Sequence, residues 1–131
     1  MARIKVSSTN QLNRKKLNDF CGVMHAIDIL GGRWKLMILY KLGDKKTLRF
    51  LELKKLLPDI SDRMLTLHLK ELERDGMVTR TVFAEVPPRV EYSLTEIAKE
   101  LIPIWRQLEQ WGQHHKEGTE QLRSSGGLLI R

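Results

Sequence analysis

Apolar positions along the chain fall mostly at helical spacing, with one stretch of strand-forming residues. "SSTNQLNRKKLNDF" predicts a first helix, with Ser8 and Gln11 at capping-box spacing. "VMHAIDILGGRWKLMILYKLG" carries Ile27, Trp34, Ile38 and Leu42 on one helical face, with Gly43 as its expected stop. Gly31 and Gly32 fall inside that pattern, where close packing or a bend is expected. "LRFLELKKLL" predicts a short helix with Phe50, Leu53 and Leu57 inward, ended by Pro58. "SDRMLTLHLKELERDG" opens another, with Ser61 as N-cap, a leucine spine of Leu65, Leu69 and Leu72, and Gly76 as its stop. "MVTRTVF" and "RVEYSL" predict two strands. Between them lie Pro87 and Pro88, which are admissible only at a turn or a sheet edge. Thr95 is then expected to cap one long final helix with Ile97, Leu101, Ile104, Trp105, Leu108 and Trp111 inward and a kink at Pro103.

The order is therefore mainly α with a small β-hairpin. Two short helices joined by a tight turn and followed by a two-stranded hairpin are the parts of a winged helix-turn-helix, which sets its second helix in the DNA major groove. Residues 8–116 read as this domain, between a flexible N-terminus over 1–7 and a glycine-bearing, flexible tail over 117–131.

Rotating about 100° per residue from Leu65 brings Arg63, Thr66, Leu67, Lys70 and Arg74 to the face away from the leucine spine. Arg63, near the helix start, is placed to read guanine O6 and N7, and Leu67 to touch a thymine methyl. Lys70 and Arg74 are better placed for phosphates. A charged outer face is also what any solvated helix shows, and only the neighbouring turn and hairpin favour the groove-binding alternative. On the hairpin, Arg80 and Arg89 are expected to reach a phosphate or the minor groove, while the prolines stiffen the tip or guard an exposed edge.

Charge supports an anionic partner. The net charge is +7, and residues 1–60 carry 13 Lys/Arg against 5 Asp/Glu, whereas residues 61–131 carry 10 against 11. The remaining composition is that of an ordinary soluble domain, with 41% hydrophobic and 30% charged residues. No apolar run has membrane-spanning length and the first ten residues lack a signal-peptide core, so a cytoplasmic location is expected.

One cysteine, Cys21, excludes an intramolecular disulfide and a four-cysteine zinc site. Cys21 precedes the second helix, whose dipole favours a thiolate, and His25, Lys15 and Lys16 lie near it in sequence. It is the candidate redox sensor, against the alternative of a buried, inert thiol. His114 and His115 lack acidic or cysteine partners at ligand spacing and read as favourable charge near a helix end, so no metal or cofactor is expected. No phosphate loop or nucleophile motif appears, and "GGRW" does not follow a strand, which argues against an enzyme.

"CGVMHAIDILGGRWKLMILYKL", "RFLELKKLLPDISDRMLTLHLKELERDGMVTR" and "VPPRVEYSLTE", in this order, closely resemble the HxlR-type helix-turn-helix family of bacterial transcriptional regulators over roughly residues 20–113. The resemblance implies a winged-helix homodimer that binds double-stranded operator DNA and dimerises through its N- and C-terminal helices. Many members carry a cysteine at the position of Cys21, and in some it senses oxidants or electrophiles. Leu67 and His68 stand where members often have polar or basic residues, and Ala98 replaces a common glycine.

On this reading residues 61–75 enter the major groove, with Ser61, Arg63, Thr66, Leu67, Lys70 and Arg74 at the DNA, and the wing over 77–94 adds Arg80 and Arg89. Trp105, Leu108 and Trp111 exceed what one small domain needs and are expected to share surface with the partner's Leu12, Leu17 or Phe20. The alternatives are a winged-helix module that binds protein and no DNA, and an architectural binder indifferent to sequence.

Overall fold

The two glycines in the middle of the long helical pattern break it. In the structure, a computed structural model that describes residues 15–16 and 21–124, α1 spans Gly22–Leu30 and α2 spans Arg33–Lys45. Gly32 between them has φ +91°, a conformation that side chains with a Cβ rarely adopt, and a Cβ on Gly31 would stand 2.9 Å from the Ile27 carbonyl oxygen. Residues 15–16 are helical, while Leu12, Leu17 and Phe20 lie outside the described residues.

Gly43 does not stop α2. The helix runs on to Lys45, and Lys46 ends it at φ 70°, with its N–H bonded to the Leu42 carbonyl at 3.1 Å. Gly43 serves packing instead, since a Cβ there would lie 2.8 Å from Cζ2 of Trp105. The glycine thus lets the last helix lie against α2, a long-range requirement that looks like a helix stop in the sequence.

A two-residue strand, β1 (Thr47–Leu48), follows, then α3 (Phe50–Leu56) and α4 (Asp62–Arg74). Glu52 at the third position of α3 accepts from the Arg49 N–H at 2.8 Å, and Ser61 Oγ accepts from the Met64 N–H at 3.1 Å, so both helices begin on a side-chain cap. Between them, the Ile60 N–H bonds the Leu57 carbonyl, Ile60 is buried, and Lys54 Nζ reaches Asp62 Oδ1 at 2.8 Å across the turn. At the other end of α4, Gly76 (φ +75°) bonds back to Glu73 and Met77 to Leu72, the paired C-terminal bonds that satisfy the last carbonyls.

β2 (Val78–Phe83) and β3 (Arg89–Leu94) form the expected hairpin, with Arg80 opposite Tyr92 and Phe83 opposite Arg89. β1 pairs with the far edge of β3, so the wing is a three-stranded antiparallel sheet of order β1-β3-β2 rather than a bare hairpin. Thr47–Leu48 is too short for any alternation to register. The loop at the tip holds a cis Val86–Pro87 peptide.

The expected single final helix is two. Thr95 caps α5 (Glu96–Lys99), accepting from the Ala98 N–H, and its hydroxyl donates to the Gly76 carbonyl at 2.7 Å, tying the end of β3 to the α4–β2 turn. The chain then turns at residues 100–101 and α6 spans Ile102–Ser124. Pro103 therefore sits in the first turn of α6, where a missing N–H breaks no helical bond, and the expected mid-helix kink is replaced by a new helix start. α6 also runs past the expected boundary at 116. Gln113 bonds Glu117 and the Thr119 hydroxyl bonds the His115 carbonyl, local contacts that carry the helix through Gly118.

The core joins α2, α3, α4 and the sheet. Ile38, Leu39, Leu42, Leu53, Leu57, Leu65, Leu69 and Leu72 are all at 2% exposure or less, and Val78, Leu94 and Ala98 close it. Trp105 is the one buried residue of α6, edge-on to Tyr40 at 6.3 Å between ring centres. Of the rest of the expected inward stripe, Leu101 alone packs against this core. Leu101 is half-buried, whereas Ile97, Ile104, Leu108 and Trp111 are 60, 57, 52 and 64% exposed.

Candidate nucleic-acid interface

The periodicity of α4 divides it cleanly. Its leucine spine faces α2 and β2, and Arg63, Thr66, Leu67, Lys70 and Arg74 are all exposed on the other side. Arg63 and Lys70 form no ion pair with the described residues, and Arg74, still largely exposed, pairs with the adjacent Asp75 at 3.3 Å. Ser61 Oγ is occupied as an acceptor by the helix cap, which leaves its O–H free to donate. Met64, not among the expected site residues, is also exposed near the helix start.

Behind this surface, α4 is fixed to α2 by Lys35 Nζ and Glu71 Oε1 at 2.9 Å. The hydrogen bond from Lys35 holds the Glu71 carboxyl below the ordinary carboxylate range, against a smaller opposing effect of burial. His68, near Leu67 in sequence, turns away from the exposed face. Its Nδ1 is buried 3.6 Å from Glu71 Oε1 with no hydrogen-bond partner among the described residues. His68 belongs to the support of the helix and not to its outer face.

The two wing arginines have different surroundings. Arg80, opposite Tyr92, is exposed and lines a recess of about 260 Å³ between α4 and the sheet, together with Thr66, Lys70, Glu73 and Tyr92. It therefore stands beside the outer face of α4. Arg89 does not project freely from the tip, as its sequence position had implied. Its guanidinium pairs with Glu85 and Glu91, each at 3.0 Å, and lies 3.9 Å from the centre of the Phe83 ring. The signal for this was in "FAEVPPRVE": carboxylates four residues before and two residues after the arginine.

Cys21 is half-buried at the N-cap position of α1, and its carbonyl accepts from the His25 N–H at 3.4 Å. The His25 side chain is exposed. His115 stacks on Trp111 with ring centres 5.2 Å apart. Among the described residues, no group of three His, Cys, Asp or Glu could hold a metal ion, and no helix is long and apolar enough to cross a membrane.

Comparison with known proteins decides the family. The model of the HxlR-like helix-turn-helix family matches residues 29–120. The chain belongs to the HxlR-like helix-turn-helix family. It is 48% identical over 105 residues to the uncharacterized HTH-type transcriptional regulator YdeP of Bacillus subtilis, covering 80% of this chain and 81% of that one. It is 50% identical over 100 residues to an uncharacterized HTH-type transcriptional regulator of Methanothermobacter thermautotrophicus, covering 76% of each. Among solved structures, it is similar to the redox regulator HypR in its reduced form, at 44% identity and TM-score 0.72, covering 77% of this chain and 99% of that one. The reduced form of the transcriptional regulator YodB from B. subtilis matches at 38% identity and TM-score 0.62, over 70% of this chain and 89% of that one. This HxlR-family chain is thus a helix-turn-helix transcriptional regulator, and its relatives are regulators rather than enzymes.

Proposed function

We propose that this HxlR-family regulator acts as a dimer that binds operator DNA sequence-specifically, with α4 in the major groove and the wing along its flank. One observation carries the reading: α4 buries Leu65, Leu69 and Leu72 and leaves Arg63, Thr66, Leu67, Lys70 and Arg74 exposed on one continuous face. A helix of about 10 Å diameter fits the major groove, and a cationic face supplies both phosphate contacts and bidentate base readout. Arg63 reads a guanine. The Ser61 hydroxyl, Thr66, Lys70, Arg74 and Arg80 hold the backbone, and Leu67 packs on a thymine methyl.

Dimerisation is supported by the apolar residues that α6 leaves uncovered, Ile104, Leu108 and Trp111, together with Val23 and Ile27 on α1. In a two-fold dimer the two α4 helices lie about 34 Å apart, one DNA turn, or a multiple of it. The redox regulator HypR among the structural relatives extends the reading: Cys21, the chain's one thiol, is where oxidation acts on binding. Footprinting the DNA upstream of the protein's own gene tests this directly. A protected two-fold site is expected, with base preference relaxed in Arg63→Ala and protection changed on oxidation in the wild type but not in Cys21→Ser. No protected site, or a site read equally well by Arg63→Ala, would overturn the base-reading assignment.

A further inference from the structure

Arg89 opens β3 directly across from Phe83 at the end of β2. Cross-strand partners share a face of a sheet, as do residues i and i+2 of one strand. Phe83, Arg89 and Glu91 therefore occupy one side of the ribbon, while Arg80 and Tyr92 occupy the other. On its own side, the guanidinium lies 3.9 Å from the Phe83 ring centre, a cation–π distance. Nη1 donates to Glu91 Oε2 and Nη2 pairs with Glu85 Oε2, both at 3.0 Å, and the buried Nε has no acceptor among the described residues.

These contacts join three separate parts of the wing. Phe83 ends β2, Glu85 lies in the tip loop, and Glu91 is in β3. The loop's own backbone is poor in donors, because Pro87 and Pro88 have no N–H. Side chains must therefore supply much of the cross-linking at the tip. Two carboxylates around one guanidinium also leave the cluster with a net negative charge, an unfavourable partner for a phosphate. Arg80, on the opposite face, forms no ion pair with the described residues and shares its recess with Lys70 and one carboxylate, Glu73.

We propose that Arg89 is a positioning residue: it clamps the tip of the wing to both strands so that the opposite face, with Arg80, is held against the DNA, and it makes no phosphate contact itself. The proposal rests on the reading of α4 and the wing as the DNA-binding surface.

Two measurements on the full chain test it. In the free protein, hydrogen exchange of the β2–β3 amides is expected to accelerate roughly tenfold in Arg89→Ala, in Arg89→Lys and in the double variant Glu85→Gln/Glu91→Gln, with α4 amides unchanged. Lysine keeps the charge but cannot lie flat on Phe83 and bridge two carboxylates. On a random-sequence duplex over a salt series, Arg89→Ala and Arg89→Lys are expected to bind several-fold more weakly with the wild-type salt slope. Arg80→Ala should lower that slope by about 0.9. Unchanged wing exchange in the three Arg89 and Glu variants would overturn the clamp, as would a slope lowered by about 0.9 in Arg89→Ala and restored in Arg89→Lys. A wild type whose binding ignores salt would sink the DNA-binding reading instead, and the exchange data would still judge the clamp.

Discussion

α4 and α6 are both amphipathic helices, yet they use their apolar faces in opposite ways. α4 buries its leucine spine completely in the protomer and turns arginines and lysine outward. α6 buries one residue, Trp105, in the protomer core, rests the half-buried Ile102 against it and leaves Ile104, Leu108 and Trp111 open. An exposed cationic face suits a polyanion, whereas an exposed aromatic and aliphatic face suits a protein surface that excludes water. The two helices therefore divide the proposed work of the molecule: one meets DNA, the other a second copy.

The largest effect that could break this comparison is in the α4 spine. Leu69→Ala should destabilise the fold by about 2–5 kcal/mol in urea unfolding, because Leu69 is 2% exposed in the core and its truncation leaves a cavity. Leu108→Ala should cost the protomer no more than about 0.5 kcal/mol. Equal costs at the two positions would mean that the faces are not used differently. Next comes association: Trp111→Ala should weaken self-association by about 2 kcal/mol or more in sedimentation equilibrium, the range of a central interface aromatic. A wild type that stays monomeric at micromolar concentration would remove α6 from the dimer.

Gly43→Ala sharpens the role of Trp105. Its added methyl meets the buried indole and should lower stability by about 1–3 kcal/mol in the same unfolding assay. An unaffected variant would show that α6 can shift off α2 freely. The smallest effect concerns the support of α4. Because Lys35 depresses the Glu71 carboxyl in the folded state, that stabilisation is present above the ordinary carboxylate pKa and is lost as pH falls through the depressed native value. The melting-temperature advantage of the wild type over Glu71→Gln should accordingly be small, steady near neutral pH, and vanish in acid. An advantage that grows on acidification would contradict this sign.

What could be read from the sequence was what is local. The 3.6-residue period alone located Leu65, Leu69 and Leu72, and Ser61 before them marked the cap, since both depend on neighbours within a turn or two. The misread positions are those where distant residues decide. Gly43 looks like a stop but admits Trp105, 62 positions further along the chain. Pro103 looks like a kink but follows a chain turn, so it falls where helices tolerate it. Ile97 fits the stripe by period, yet the break at residues 100–101 sends Ala98 inward in its place. Arg89, directly after two prolines, reads as a freely projecting cation, whereas the structure pairs it with Glu85 and Glu91 and lays it over Phe83. β1 gave no signal because two residues have no period.

The most direct measurement is the affinity of the full chain for a random-sequence duplex across a salt series, compared between wild type and Lys70→Ala. A phosphate contact from the outer face of α4 requires a steep wild-type dependence and a slope smaller by about 0.9 in the variant. Identical slopes and affinities for the two proteins, or binding indifferent to salt, would contradict the placement of this helix on DNA.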